Sequence, residues 1–141
     1  MAAVSETRLT LRIIGDDLLP DEITALLGGS PGFSHRRGEK LSDKQGQSRI
    51  TKFGAWMRTA RVNRTGDVDK QVREVLSGLT KDTSVWFRLA QEHRVEIFCS
   101  AFLEEANEGL ALSAETLQLL GSRGIRLGLD MYAPRRPKTK G

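Results

Sequence analysis

Three segments of this chain alternate between apolar and polar residues. The clearest is 125–132, where Ile, Leu, Leu and Met alternate with Arg, Gly, Asp and Tyr. The segments 7–14 and 95–101 follow the same period of two, which predicts strands with one apolar face. We predict a further strand from Phe53 to Thr59. Because an apolar face has to be buried against another layer, the chain is expected to pair a sheet with packed helices.

Apolar residues at helical spacing separate these strands. Pro20 suits the first position of a helix, and Gly28 suits the position just after its end. Ser113 is typical of a residue that caps a helix N-terminus. The predicted helices run over residues 20–27, 67–79, 82 to about 92, and 113–120.

Two helical segments resemble each other. Residues 19–28 and 112–121 are identical at five of ten ungapped positions, and each lies between two predicted strands. This similarity predicts two pseudo-repeated β-α-β halves that share a core, although chance similarity of Leu-rich helices stays open. The predicted fold is α+β: a single two-layer domain over 1–132, with a mixed or antiparallel sheet of about four strands and helices packed on it.

The excess of positive over negative charge is confined to two segments of the chain. The chain has 22 Lys and Arg against 18 Asp and Glu, yet residues 34–64 hold nine bases and two acids. The segment 30–52 is predicted to be a long basic loop, either functional or mobile. The end, 133–141, holds four bases and no acid and is predicted to be a disordered tail. A solvated basic surface and a nucleic-acid contact both fit this pattern.

Several protein classes are excluded by simple features. One cysteine rules out an internal disulfide framework and a Cys-rich zinc site. No apolar run reaches the length of a membrane span, and the N-terminus lacks the apolar core of a signal peptide, so a cytoplasmic protein is expected. No nucleophile–base–acid pattern or Gly-rich phosphate loop is present. We therefore predict no catalytic residue, metal site or cofactor, and the sequence leaves enzymatic activity undecided, leaning against it.

Several sequence blocks carry a family resemblance. The segments 15–23 (GDDLLPDEI) and 34–38 (SHRRG), together with Trp56, the helix start at 112–113 and the strand 127–132, resemble the bacterial family called domain of unknown function 4279. The resemblance covers roughly residues 8–132. It implies a small α+β domain of bacterial origin, without an established activity or a known cofactor.

The segment His35-Arg36-Arg37 is the first candidate for binding. Arginine forks suit carboxylate or phosphate, and the glycine that follows allows a ligand to approach the backbone. The alternative is that this segment only anchors itself against the acidic turn at Asp16 and Asp17. Both interpretations predict that the segment lies near the turn that follows the first alternating strand.

Ser100 and Tyr132 are the second candidates. They occupy the polar faces of two predicted strands, together with Asp130, and would line one groove if those strands pair. His93 and Cys99 are expected to be structural, at a helix end and on an apolar strand face respectively.

These features predict a non-enzymatic module that binds a protein or a small anionic ligand through the His35 segment and the neighbouring sheet surface. One alternative is nucleic-acid binding by residues 34–64 and the tail. A further alternative is an undetected hydrolase that uses Asp16 or Asp17 with His35. No membrane partner is expected.

Overall fold

A ten-residue strand near the N-terminus forms the centre of the main sheet. The computed structural model describes residues 2–134 and has an α+β fold. Its strands are β1 (Ala2–Ala3), β2 (Glu6–Gly15), β3 (Phe33–His35), β4 (Lys40–Ser42), β5 (Ser48–Ile50), β6 (Gly54–Thr59), β7 (Arg94–Phe102), β8 (Glu108–Gly109) and β9 (Arg126–Tyr132). Its helices are α1 (Pro20–Leu27), α2 (Val68–Leu76), α3 (Thr83–Glu92) and α4 (Ala114–Ser122).

The main sheet has five strands in the order β3-β6-β2-β7-β9. Its pairs are antiparallel except for β7 and β9, which run parallel. Two smaller ladders, β1-β8 and β4-β5, lie outside it. The sheet is therefore mixed and mostly antiparallel, and it has one strand more than the sequence predicted.

The apolar face of the sheet is completely buried along β2. Leu9, Leu11 and Ile13 have no exposed surface, and each of the four helices contributes buried residues to the same core. Trp56 and Trp86 are also fully buried there. The hydrophobic effect thus fixes the direction of every second side chain in the sheet, so the other side chains project to the opposite face.

Residues 30–52 do not form the long loop that the sequence predicted. They contain β3 and the β4-β5 hairpin, and β3 joins the sheet by pairing with β6. The loop interpretation missed this because three-residue strands are too short to show a period of two. Of the tail predicted to be disordered, 133–141, residues 135–141 lie outside the described part of the chain.

Two glycines face each other where β2 and β6 begin to separate. Gly15 pairs with Gly54 in the ladder. A Cβ on Gly54 would overlap the backbone oxygen of Leu18, and one on Gly15 would overlap Nδ1 of the His93 ring. Only a residue without a side chain allows the turn after β2 to pack so closely on the sheet.

The start of α4 depends on a side-chain cap. Ser113 Oγ accepts a hydrogen bond from the N–H of Thr116 at 3.1 Å. Replacing this acceptor in Ser113→Ala is expected to lower the free energy of unfolding by about 1 kcal/mol. Urea denaturation measures the change. Ser113→Asn keeps a neutral acceptor beside the Asp69 carboxylate, to which the N–H of Ser113 donates at 3.1 Å, and should stay within a few tenths of a kcal/mol of wild type; equal losses in both variants would contradict the capping role.

Candidate functional site

The acidic turn after β2 and the segment after β3 meet at the surface. Arg37 Nη2 lies 2.9 Å from Asp17 Oδ1, and both side chains are mostly exposed. Asp16, Leu18, Leu19 and Arg36 join this pair around a surface cavity of ≈ 350 Å³. The prediction that the two segments are neighbours is confirmed. An ion pair this exposed contributes little to stability, because water competes for both partners.

His35 is buried instead of exposed on a loop. It is 3% exposed, on β3, and its ring lies 5.6 Å from the Phe33 ring and 5.8 Å from the Phe53 ring between centroids. Its Nδ1 has no hydrogen-bond partner among the described residues. The ring is therefore not one of the groups around the cavity of Asp16 and Arg36.

Ser100 and Tyr132 share one surface of the sheet. β7 and β9 pair in a register that sets Ser100 beside Asp130 and Phe102 beside Tyr132. We call this surface the open face and define it by the exposed or half-buried residues that β2, β7 and β9 direct to this side: Glu6, Arg8, Thr10, Arg12, Ile14, Arg94, Phe98, Ser100, Phe102, Arg126, Gly128, Asp130 and Tyr132.

His35 projects to the same side of the sheet, but from the opposite edge. Its strand β3 is separated from β9 by β6, β2 and β7. Four inter-strand steps amount to roughly 19 Å. The exposed candidate residues therefore fall into two surfaces, one at the acidic turn and one on the open face, and His35 is buried outside both.

Arginines on the open face lie over aromatic rings. The guanidinium carbon of Arg12 is 4.4 Å from the centroid of the Phe98 ring, and that of Arg8 is 5.1 Å from the Phe102 ring. Phe102 in turn stacks on Tyr132, with centroids 4.8 Å apart and planes 6° from parallel. Such cation–π contacts hold the guanidinium groups against the sheet while their remaining N–H groups stay available to an anion.

A buried carboxylate supports this arrangement. Glu96 is 2% exposed and accepts hydrogen bonds from Arg12 Nε at 2.5 Å and from Arg94 Nη2 at 3.2 Å. A buried carboxylate needs such partners to offset the loss of hydration. Because only one nitrogen of Arg12 is used in this pair, Glu96 orients the guanidinium without occupying all of it.

The pKa values of Tyr132 and Cys99 are both raised. The hydrogen bond and the negative charge of Asp130 raise the pKa of Tyr132, so its hydroxyl remains protonated at neutral pH. Burial raises the pKa of the Cys99 thiol to about 11, which keeps it protonated and unreactive. Neither group has the lowered pKa that an activated nucleophile needs.

The sequence alone did not single out the arginines of the open face. Arg8 and Arg12 were visible as the polar side of the first strand, but their neighbours Phe98 and Phe102 are distant in sequence. Alternating Arg and aromatic residues on the polar faces of two predicted strands was the only available signal.

Comparison with known protein families identifies one family that this chain matches. The model of the family described as Domain of unknown function (DUF4279) matches residues 5–134. No curated protein and no solved structure matches the chain. Within residues 2–134, no helix has the length and apolar character to cross a bilayer, and no three His, Cys, Asp or Glu side chains gather as metal ligands would.

Proposed function

The chain belongs to the family Domain of unknown function (DUF4279), and from this premise we propose that it is a cytoplasmic, non-enzymatic module whose open face binds an anionic partner. The partner is a small carboxylate or phosphate compound, or an acidic segment of another protein. The observation that carries the proposal is the placement of Arg12 and Arg8 over Phe98 and Phe102.

The chemistry of the open face supports an anion. A guanidinium group binds carboxylate and phosphate through paired N–H donors, and stacking on a ring reduces the side-chain entropy lost on binding. Thr10 and Ser100 lie between the two arginine–aromatic pairs and supply hydroxyl groups. Arg8 Nε pairs with Glu6 Oε2 at 3.0 Å, as Arg12 Nε pairs with Glu96, so the terminal N–H groups of each guanidinium are the ones left for a partner. The surface thus presents two guanidinium groups with hydroxyl groups between them and aromatic rings below.

A two-layer domain with an internal repeat is the framework that presents this face. Support for two layers comes from the core, to which all four helices contribute from the apolar side of the sheet. Support for the repeat comes from the two similar segments, which contain α1 and α4, each lying between two strands along the chain.

The test is an NMR titration of ¹⁵N-labelled protein with inorganic phosphate and, separately, with a short oligo-glutamate peptide. We expect saturable shifts of the Arg8 and Arg12 side-chain signals and of the Ser100 amide. Arg8→Gln should weaken the binding about tenfold, because one charge-assisted contact is lost. This variant leaves the Glu96 ion pairs in place.

Arg88→Gln is the matched control. Arg88 is an exposed arginine on α3 that also pairs with a glutamate, Glu92. Its replacement should leave both titrations unchanged. Shifts confined to Arg36 and Arg37 would move the site to the acidic turn, and no shift with either probe would refute anion binding by the open face.

A single-stranded nucleic acid is the second candidate function. The specific observation is the stacked pair Phe102–Tyr132 with Arg8 beside it, because bases stack on exposed rings while arginines contact phosphates. Fluorescence anisotropy with labelled single and duplex strands at low and high salt tests it. Single-strand binding that weakens with salt and is lost in Tyr132→Ala would support this function.

A further inference from the structure

The strand β9 forms an edge of the main sheet, and no strand among the described residues lies on its outer side. It is seven residues long, whereas the other edge strand, β3, has three. Long edge strands present rows of unpaired backbone groups, and proteins usually protect them. β9 contains neither lysine nor proline, and its Leu129 and Met131 are both 48% exposed.

The direction of the free backbone groups follows from the parallel ladder. The N–H of Leu103 donates to the carbonyl of Tyr132 at 3.0 Å, so Tyr132 directs its backbone groups toward β7. Because this direction alternates along a strand, Leu127, Leu129 and Met131 direct their N–H and C=O groups outward. These outward groups set which residues of another strand can pair with β9.

The sequence of β9 is complementary to itself when reversed about Gly128. Arg126 and Asp130 are equidistant from this glycine, as are Leu127 and Leu129. In an antiparallel pair of two β9 strands centred on Gly128, Arg126 of each copy lies opposite Asp130 of the other. Leu127 and Leu129 then form the hydrogen-bonded pairs, which matches their outward backbone groups.

We propose that the protein forms a two-fold dimer in which β9 pairs antiparallel with β9 of a second copy, centred on Gly128. The contact is isologous, so each interaction occurs twice. Two ion pairs join Arg126 and Asp130 across the seam. The exposed halves of Leu129 and Met131 are covered on the side of the sheet that carries the helices, where α4 exposes Leu117 near the same edge.

Charge complementarity selects this register from the two nearest competitors. An antiparallel pair centred on Leu127 sets Arg126 opposite Gly128, and Asp130 opposite Gly124, which lies before the strand begins. An antiparallel pair centred on Leu129 also satisfies the outward backbone groups, but it sets Asp130 opposite Gly128 and Arg126 opposite Tyr132. Each of these two registers leaves the two opposite charges of the strand without partners. Register in a sheet is decided by such cross-strand pairs.

Sedimentation equilibrium of the full chain from about 1 µM to about 1 mM tests the proposal, because small interfaces dissociate in this range. Wild type should approach twice its mass of 15.6 kDa as concentration rises. Arg126→Asp and Asp130→Arg should each raise the dimer dissociation constant at least about tenfold, since both symmetric pairs become repulsive. The double variant should restore the wild-type value.

Two further variants distinguish this contact from association through a different surface. Leu129→Pro removes an N–H that points outward, so it should abolish the dimer while the circular dichroism of the monomer stays unchanged. Lys44→Asp changes an exposed charge in the β4-β5 turn and should dimerise like wild type. A monomeric wild type would leave β9 free for another partner and overturn the proposal. So would a double variant that stays as weak as the single ones, or a dimer that survives Leu129→Pro.

Discussion

Gly54→Ala is expected to lower the free energy of unfolding by about 3 kcal/mol, because it overpacks a site that cannot relax. The added Cβ would overlap the backbone oxygen of Leu18 and lie 3.0 Å from the Leu18 Cβ. Gly54 is buried, and Leu18 belongs to the turn that follows β2. Neither this turn nor β6 can move away without breaking the ladder pair between Gly54 and Gly15. Urea unfolding followed by tryptophan fluorescence measures the loss, since Trp56 lies on the same strand.

Gly121→Ala is the control for this prediction. Gly121 lies in α4 and is exposed, and beyond its own helix backbone and chain neighbours no heavy atom of residues 2–134 lies within 4 Å of the position of an added Cβ. Alanine favours a helix over glycine, so this variant should gain about 0.5–1 kcal/mol. The same substitution thus has opposite expected signs at two positions. Equal effects would show that the Leu18 contact does not limit the space at Gly54.

Gln71→Leu is expected to lower the free energy of unfolding by roughly 2–3 kcal/mol, because it leaves buried polar groups without hydrogen-bond partners. Gln71 is 1% exposed on α2. Its Nε2 donates to the carbonyls of Thr7 at 2.8 Å and Arg61 at 2.9 Å, and its Oε1 accepts from the Thr7 hydroxyl at 2.7 Å. Leucine fills a similar volume but satisfies none of these groups.

Gln91→Leu tests whether the effect depends on burial. Gln91 is exposed on α3, and leucine is as good a helix former as glutamine. Its unfolding free energy should stay within about 0.5 kcal/mol of wild type, as for most surface substitutions. Thermal unfolding of both variants at one pH gives the comparison. A loss in Gln71→Leu no larger than in Gln91→Leu would mean that the hydrogen bonds of Gln71 do not hold α2 on the sheet.

The sequence predicted the strands that bury one complete face. The alternating segments 7–14, 95–101 and 125–132 correspond to β2, β7 and β9 within two residues at each end, and 53–59 corresponds to β6. A period of two suffices for such strands because burial of one side dominates their energetics. The four helices were predicted from helical spacing, because burial of one side dominates their energetics as well. The cap predicted at Ser113 is confirmed, and the structure adds side-chain caps at Asp67 and Asp82.

The parts that the sequence did not predict depend on contacts between distant residues. β3 exists because Phe33–His35 pairs with β6, and His35 is buried because Phe33 and Phe53 lie beside it. Strand order also depends on pairing across the chain, so no local pattern indicated that β9 is an edge. For the same reason, the arginine–aromatic pairs of the open face were not visible, although Ser100 and Tyr132 were.

The position of β2 has a consequence for how the chain is made. It leaves the ribosome well before its neighbours β6 and β7, and Leu9 meets Cys99 only once β7 has emerged. Until then β2 lacks one of its two neighbouring strands, and the backbone edge that pairs with β7 stays exposed on the nascent polypeptide. Non-local pairing of this kind slows folding and favours aggregation of incomplete chains. The growing chain is therefore expected to need chaperone protection during the whole interval between the synthesis of β2 and that of β7.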